Sequence, residues 1–143
     1  MKLKKLIYLT MLLSFSLVTS CDSDDDNGDN SDLISEISGT WTSNYDEVYI
    51  FTDETIESPY STYTIVAVGD NYVICQNDAD NTYNPNLYSK FVFTNITADT
   101  FNYCQSFYDA ESQLEIESTE EPSDSSDLEN GCGGFSWSNM TRN

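Results

Sequence analysis

Apolar side chains along this chain follow two patterns, one continuous and one alternating. The continuous pattern covers Leu6 to Val18, thirteen residues interrupted by Thr10, Ser14 and Ser16. A helix needs roughly 20 apolar residues to cross a hydrocarbon core, so this run is too short to span one. Its length falls in the range of about 7 to 15 residues expected of the apolar part of an export signal. Lys2, Lys4 and Lys5 supply the positive flank of such a signal. Residues 22–32 then read Asp-Ser-Asp-Asp-Asp-Asn-Gly-Asp-Asn-Ser-Asp, without one apolar side chain to bury. Like charges at that density hold a chain extended, which predicts an acidic flexible tether over 21–35. Its fourteen residues after Cys21 have a reach of at most about 48 Å.

The alternating pattern fills residues 36–143. Short runs rich in β-branched and aromatic residues recur between turn-formers, and no window of a dozen residues sustains a 3.6 period. The pattern predicts eight strands, at Thr40 to Asn44, Val48 to Thr52, Glu54 to Glu57, Thr62 to Val68, Tyr72 to Gln76, Tyr88 to Thr94, Thr100 to Gln105 and Gly134 to Met140. Ser58-Pro59, Gly69-Asp70-Asn71 and Asn84-Pro85-Asn86 are among the turns between them. Successive hairpins of this kind predict an all-β domain, a small antiparallel meander barrel, with a β-sandwich as the alternative. Side chains two apart share a face, which groups Tyr63 with Ile65 and Ala67, Phe91 with Phe93, Phe101 with Tyr103, and Phe135 with Trp137 as inward-facing. Residues 106–131 interrupt the pattern as an acidic, Ser-rich insertion, read as mobile beyond a short helix within Asp109 to Glu117.

Charge narrows the partners. With residues 1–20 removed, 25 acids stand against Lys90 and Arg142, a net charge of about −23. Such a surface repels phosphate backbones, so nucleic acid is not an expected partner. Seventeen of the 19 aromatic residues lie beyond residue 20, far more than a disordered acidic chain carries. The 108 residues from 36 to 143 suit one domain.

Chemistry is sparse. There is no histidine, and after residue 20 there is one lysine, so a hydroxyl or thiol nucleophile lacks the usual base and no catalytic residue is expected. No cysteine pair has zinc-ligand spacing, and no metal or cofactor is expected. Asn77-Asp78-Ala79-Asp80-Asn81 has the opening of a calcium loop, but Tyr83 replaces the required glycine and Ser89 the closing glutamate. Three thiols follow Cys21. Cys104 faces away from Phe101 and Tyr103, and Cys132 sits among glycines where the chain re-enters the sheet, so a Cys104 to Cys132 disulfide is expected, with Cys75 free and buried.

Val18-Thr19-Ser20-Cys21 resembles the lipobox of bacterial lipoproteins, in which the chain is cut before the cysteine and lipid is attached to its thiol. The resemblance implies a membrane partner through Cys21, attachment to the outer membrane, and a soluble domain beyond it. The acidic cluster after Cys21 also resembles the surface-export signal of one group of Gram-negative lipoproteins. Gly39-Thr40-Trp41, together with Arg142 beyond the last strand, resembles the lipocalin and fatty-acid-binding barrels. There a G-x-W motif opens the first strand and a basic side chain packs on the tryptophan, implying barrel closure through Trp41 and Arg142. Residues 84–91, 103–105 and 131–135 look like a group of uncharacterised exported bacterial domains.

Two function classes follow. One is a binding module that holds a small apolar or glycan ligand against Tyr63, Tyr88, Phe91 and Trp137. The other is a structural or interaction lipoprotein with a filled core.

Overall fold

The computed structural model describes residues 31–143. The apolar leader, Cys21 and the first part of the predicted tether lie outside the described residues. A helix α1 (Ser31–Ile37) precedes eight strands: β1 (Gly39–Ser43), β2 (Val48–Phe51), β3 (Thr55–Glu57), β4 (Thr62–Val68), β5 (Tyr72–Asn77), β6 (Tyr88–Thr94), β7 (Thr100–Ala110) and β8 (Ser138–Arg142). Each strand pairs with the next, and β1 pairs with β8 through Trp41 opposite Arg142, Thr42 opposite Thr141 and Ser43 opposite Met140. The result is a closed antiparallel meander barrel, and the sandwich alternative is set aside.

The turns follow from local chemistry. At Thr52 and again at Thr97 a threonine hydroxyl accepts the backbone N–H three residues on, at 2.8 and 2.9 Å, and closes a tight hairpin. Asp46 and Asn95 take positive φ, 62° and 54°, the left-handed region that short polar side chains tolerate best. Alternation then sends Phe51, Val73, Cys75, Phe91, Phe93, Phe101, Tyr103 and Met140 into one buried cluster. Eight strands make a barrel just wide enough for such side chains to fill.

The end of the predicted tether is ordered. Leu33 and Ile37 are four apart, so α1 shows both on one face, and both are buried over one end of the barrel. The helix stops at Ser38, whose backbone N–H and hydroxyl both donate to the Ile34 carbonyl, at 3.0 and 2.6 Å. A run of seven residues is too short to show in a dozen-residue window.

Alternation fails at two places. The β4–β5 register shifts between Ile65 and Ala67, a bulge that places Ala67 in an outer cluster with Ile74 and Ala110 instead of beside Tyr63 and Ile65. The last strand begins at Ser138, not Gly134. Gly133 and Gly134 have φ of 60° and 89°, and Cys132 and Phe135 exchange backbone hydrogen bonds across them at 3.0 Å each. That turn leaves Phe135 exposed and puts Trp137 in a small cluster with Val92 and Cys104 on the outside of the sheet. Neither points into the barrel as the alternation predicts.

The insertion is folded. The strand β7 runs on to Ala110 and is followed by α2 (Gln113–Ser118). The Ser112 hydroxyl caps α2 by accepting from the Glu115 N–H, and the Glu115 carboxylate reaches back past the cap to accept from the Glu111 N–H at 2.8 Å. Ile116 buries against Ala110 and Ile74. Further on, Asp124 N–H donates to the Gly131 carbonyl and Gly131 N–H to the Asp127 carbonyl, both at 2.7 Å. A Cβ on Gly131 would stand 2.0 Å from the Asp124 oxygen, so the closeness of this turn depends on glycine.

Candidate functional site

The barrel has two unlike ends. At the helix end the interior is apolar and closed. Trp41 is fully buried, its ring centroid 4.4 Å from that of Phe101, and its indole N–H donates to the Ile37 carbonyl at 2.8 Å. The Arg142 guanidinium lies 4.0 Å from the Trp41 ring centre. Its three nitrogens donate to the carbonyls of Ala98, Ser38 and Glu36 at 2.7, 2.9 and 3.0 Å. One cation thereby ties the β6–β7 turn, the end of α1 and the last strand to the first. Gly39 makes room for it: φ is 135°, and a Cβ there would stand 2.6 Å from an Arg142 Nη. Trp41 and Arg142 therefore meet at barrel closure, as the sequence implies. A depression of about 510 Å³ beside them is lined by Ser35, Glu36, Ile96, Thr97, Ala98 and Arg142. The donors of Arg142 are already turned to backbone carbonyls, so this depression is part of the closure.

At the far end the interior turns polar. Tyr63 and Phe91 stand edge to face with ring centres 5.0 Å apart, and Phe91 touches Tyr103 at 6.1 Å. Tyr49 lies 5.8 Å from Tyr103 and donates its hydroxyl to the Glu47 carboxylate at 3.2 Å. Beside them the Ser89 hydroxyl donates to the Asn77 side-chain oxygen at 2.6 Å and accepts from the Gln105 amide at 3.0 Å. Burial above all, then the neighbouring Tyr103 phenol and the Glu47 carboxylate, pushes the Tyr49 hydroxyl far above its ordinary pKa. Burial likewise raises Tyr103, against the lowering influence of Tyr49 and Ser138. Both phenols therefore stay protonated, as donors for hydrogen bonds, at any ordinary pH.

The four side chains expected to share a ligand are split. Tyr63 and Phe91 face the interior together, whereas Tyr88 packs against Ile74 and Ile116 outside, and Trp137 lies against Cys104. Trp137 is held there by the insertion, its backbone N–H on the Leu128 carbonyl at 2.9 Å and its indole N–H on the Asp124 carbonyl at 3.2 Å. Sequence reasoning passed over Tyr49 and Glu47. In Val48-Tyr49-Ile50-Phe51 every residue is apolar or aromatic, so alternation does not choose a face; Val48 and Ile50 are the exposed pair. The acids and amides at 77–81 serve the fold: Asn77 donates to the Asn84 and Tyr108 carbonyls, and Asn81 exchanges two hydrogen bonds with the Thr62 backbone.

Two clamps hold the insertion to the outside of the barrel. Cys104 and Cys132 form a disulfide across a Cα separation of 5.6 Å. Lys90 reaches Glu121 at 2.6 Å and lies 4.3 Å from the Tyr72 ring centre. Burial alone would raise the Glu121 carboxyl, but Lys90, Ser123 and Ser106 outweigh it and hold the group below its ordinary pKa. Cys75 is free and buried, and burial pushes its thiol up, out of the reactive range. Between β7 and the insertion lies a cleft of about 390 Å³, lined by Gln105, Ser106, Tyr108, Pro122, Cys132, Gly133 and Phe135. Among the described residues, no group of three or more His, Cys, Asp or Glu side chains is placed to hold a metal ion. In comparisons with known proteins the chain matches no family model, no curated protein and no solved structure.

Proposed function

We propose that the chain is a lipid-anchored protein of the bacterial outer membrane, attached through Cys21, whose lipocalin-like barrel binds a small ligand at its far end. The observation that carries this reading is the sorting of the interior. Apolar rings fill the helix end, while Tyr49, Tyr63, Asn77, Ser89, Tyr103 and Gln105 put polar atoms into the other. Polar groups inside a barrel cost stability unless they are satisfied, and a scaffold built for stability alone has no use for phenols there. Tyr49 and Tyr63 keep part of their surface in solvent. The Tyr63 phenol is placed to donate to a ligand oxygen, and the ring faces of Tyr49 and Tyr63 stack on sugar rings or apolar groups. Catalysis has no part in the reading, because the chain lacks histidine. Net negative charge supports a neutral ligand over an anionic one.

The second reading, a structural or interaction lipoprotein with a filled core, is favoured by the ring contacts that run from Trp41 through Phe101, Phe51 and Phe93. Thermal-shift titration with fatty acids and with oligosaccharides separates the two. A ligand that raises the melting temperature of the wild type, and whose effect is lost in Tyr63→Ala, supports the binding module. No shift with any compound, or a shift that Tyr63→Ala leaves intact, favours the filled scaffold.

Anchoring has its own test. Cys21→Ser is expected to abolish incorporation of labelled palmitate, because a hydroxyl does not replace the thiol that receives lipid; continued labelling would remove the lipoprotein reading. Two or three acyl chains hold a protein to a bilayer far more firmly than one.

A further inference from the structure

We infer that the interior site opens away from the membrane that holds the anchor, and that its ligand is a neutral oligosaccharide taken from the aqueous phase, not a lipid drawn from the bilayer. This rests on the reading of the chain as a barrel anchored through Cys21 with a ligand site at its far end. It adds the direction of that site and the class of ligand it admits.

The anchor reaches the barrel at one end. Ser31, where α1 begins, is ten residues after Cys21, a span of at most about 34 Å. α1 packs on the helix end, where Leu33 and Ile37 belong to the core and Ile34 packs against it. Arg142 then bonds the Ser38 and Glu36 carbonyls, fastening the end of α1 to the last strand. A lipid on Cys21 therefore holds the barrel by its helix end. Tyr49 and Tyr63 each stand second in a strand that starts at the other end, β2 and β4. The six residues of β5, tilted as barrel strands are, put about 15–20 Å between the two ends.

Charge does not turn the barrel over. The turns of the helix end expose Asp53, Glu54, Asp70 and Asp99, and α1 adds Asp32 and Glu36. Asp46, Asp78 and Asp80 are exposed at the far end. Both ends are thus repelled from anionic headgroups, and the point of attachment decides which stays nearer. The nearer end is also the sealed one. Trp41 is fully buried there, with its indole N–H on the Ile37 carbonyl, so no passage for a lipid opens on that side.

The ligand class follows from this direction. An acyl chain leaves a bilayer at a cost that grows with each methylene exposed on the way, so a site that takes lipid from its own membrane needs its mouth at the bilayer surface. A mouth turned to water meets solutes first. The Glu47 carboxylate, bonded to the Tyr49 hydroxyl at 3.2 Å, disfavours an anion at that mouth. A neutral oligosaccharide offers hydroxyls to the Tyr63 phenol and C–H faces to the Tyr49 and Tyr63 rings.

The test uses the lipidated full chain in vesicles of phosphatidylethanolamine and phosphatidylglycerol. Asp70→Cys and Tyr83→Cys place a thiol for a maleimide dye at the helix end and at the far end. Both positions are exposed, and Cys75 is too buried to compete. Energy transfer to a headgroup acceptor is expected to be about twofold or more greater from residue 70, given the barrel's height. Equal transfer, or more from residue 83, overturns the inference and leaves the anchor standing. A wild type that does not float with the vesicles, or a Cys21→Ser variant that floats equally well, overturns the anchor reading and the orientation with it. For the ligand, at least one of malto-, cello-, xylo- and chito-oligosaccharides is expected to raise the melting temperature of the wild type and not of Tyr63→Ala. Vesicles doped with pyrene-labelled phosphatidylethanolamine are expected to lose no label to the barrel. Label withdrawn by the wild type and not by Tyr63→Ala overturns the ligand class and leaves the site. A shift with fatty acids and none with saccharides does the same. No response to any of these compounds overturns the site reading itself.

Discussion

Trp41→Ala is expected to destabilise the barrel by about 3–5 kcal/mol, the range for removing a fully buried large aromatic side chain. The indole contributes in three ways at once. It fills the helix end against Phe101, it satisfies the Ile37 carbonyl, and it offers its face to Arg142. The methyl group that remains leaves a void bordered by α1, β1 and β7, and the guanidinium loses a contact of about 0.5–2 kcal/mol. Urea denaturation of the variant against the wild type measures the cost. A loss below about 1 kcal/mol, with the slope unchanged, would mean that the helix end repacks and that closure does not depend on this side chain.

Removal of the disulfide, as Cys104→Ala with Cys132→Ala, is expected to cost about 2–4 kcal/mol. The two cysteines are 28 residues apart, and closing a loop of that size restricts the unfolded chain by about 3.6 kcal/mol on the entropy account. The folded state loses as well, since the bond joins the outside of β7 to the turn that precedes β8. Without it the insertion keeps the Lys90–Glu121 pair, the Ile116 contact and the Trp137 hydrogen bonds, so it loosens while the barrel persists. Denaturation gives the global cost, and limited proteolysis gives the local one: faster cutting between residues 119 and 131 is expected in the variant. Equal cutting rates in the two proteins would show that the non-covalent clamps alone hold the insertion.

The barrel was legible because its strands are short, punctuated and mostly alternating. Seven of the eight predicted strands overlap the observed ones to within a residue or two at the start, and the Gly39, Trp41 and Arg142 pattern located the closing pair. The candidate site was legible in part. Tyr63 and Phe91 follow the alternation of β4 and β6, but Tyr88 is one residue from Phe91's face and packs outside. Trp137 misled because a period of two also arises in a turn: Phe135 and Trp137 alternate across residues whose backbone is bent by Gly133 and Gly134. The bulge between Ile65 and Ala67 leaves no mark in a run of apolar residues that could face either way. The order of the insertion escaped because it rests on backbone carbonyls, which every residue has, and on glycine at 131, where a composition rich in acids and serine suggests mobility.

The pairing of β1 with β8 governs how the barrel can form. Contacts between Trp41 and Arg142 join residues about as far apart in sequence as the domain allows, whereas every other strand pair is between neighbours in sequence, so the closing pair is expected to form last. During synthesis the first seven strands exist before the eighth. Until Ser138 to Arg142 arrive, β1 and β7 are both open edges, able to pair with other chains. The last half-dozen residues thus complete the core's sheet, supply the cation for Trp41 and remove the two edges in one step. A chain stopped short of them is a different physical object from the barrel, aggregation-prone where the finished protein is edgeless.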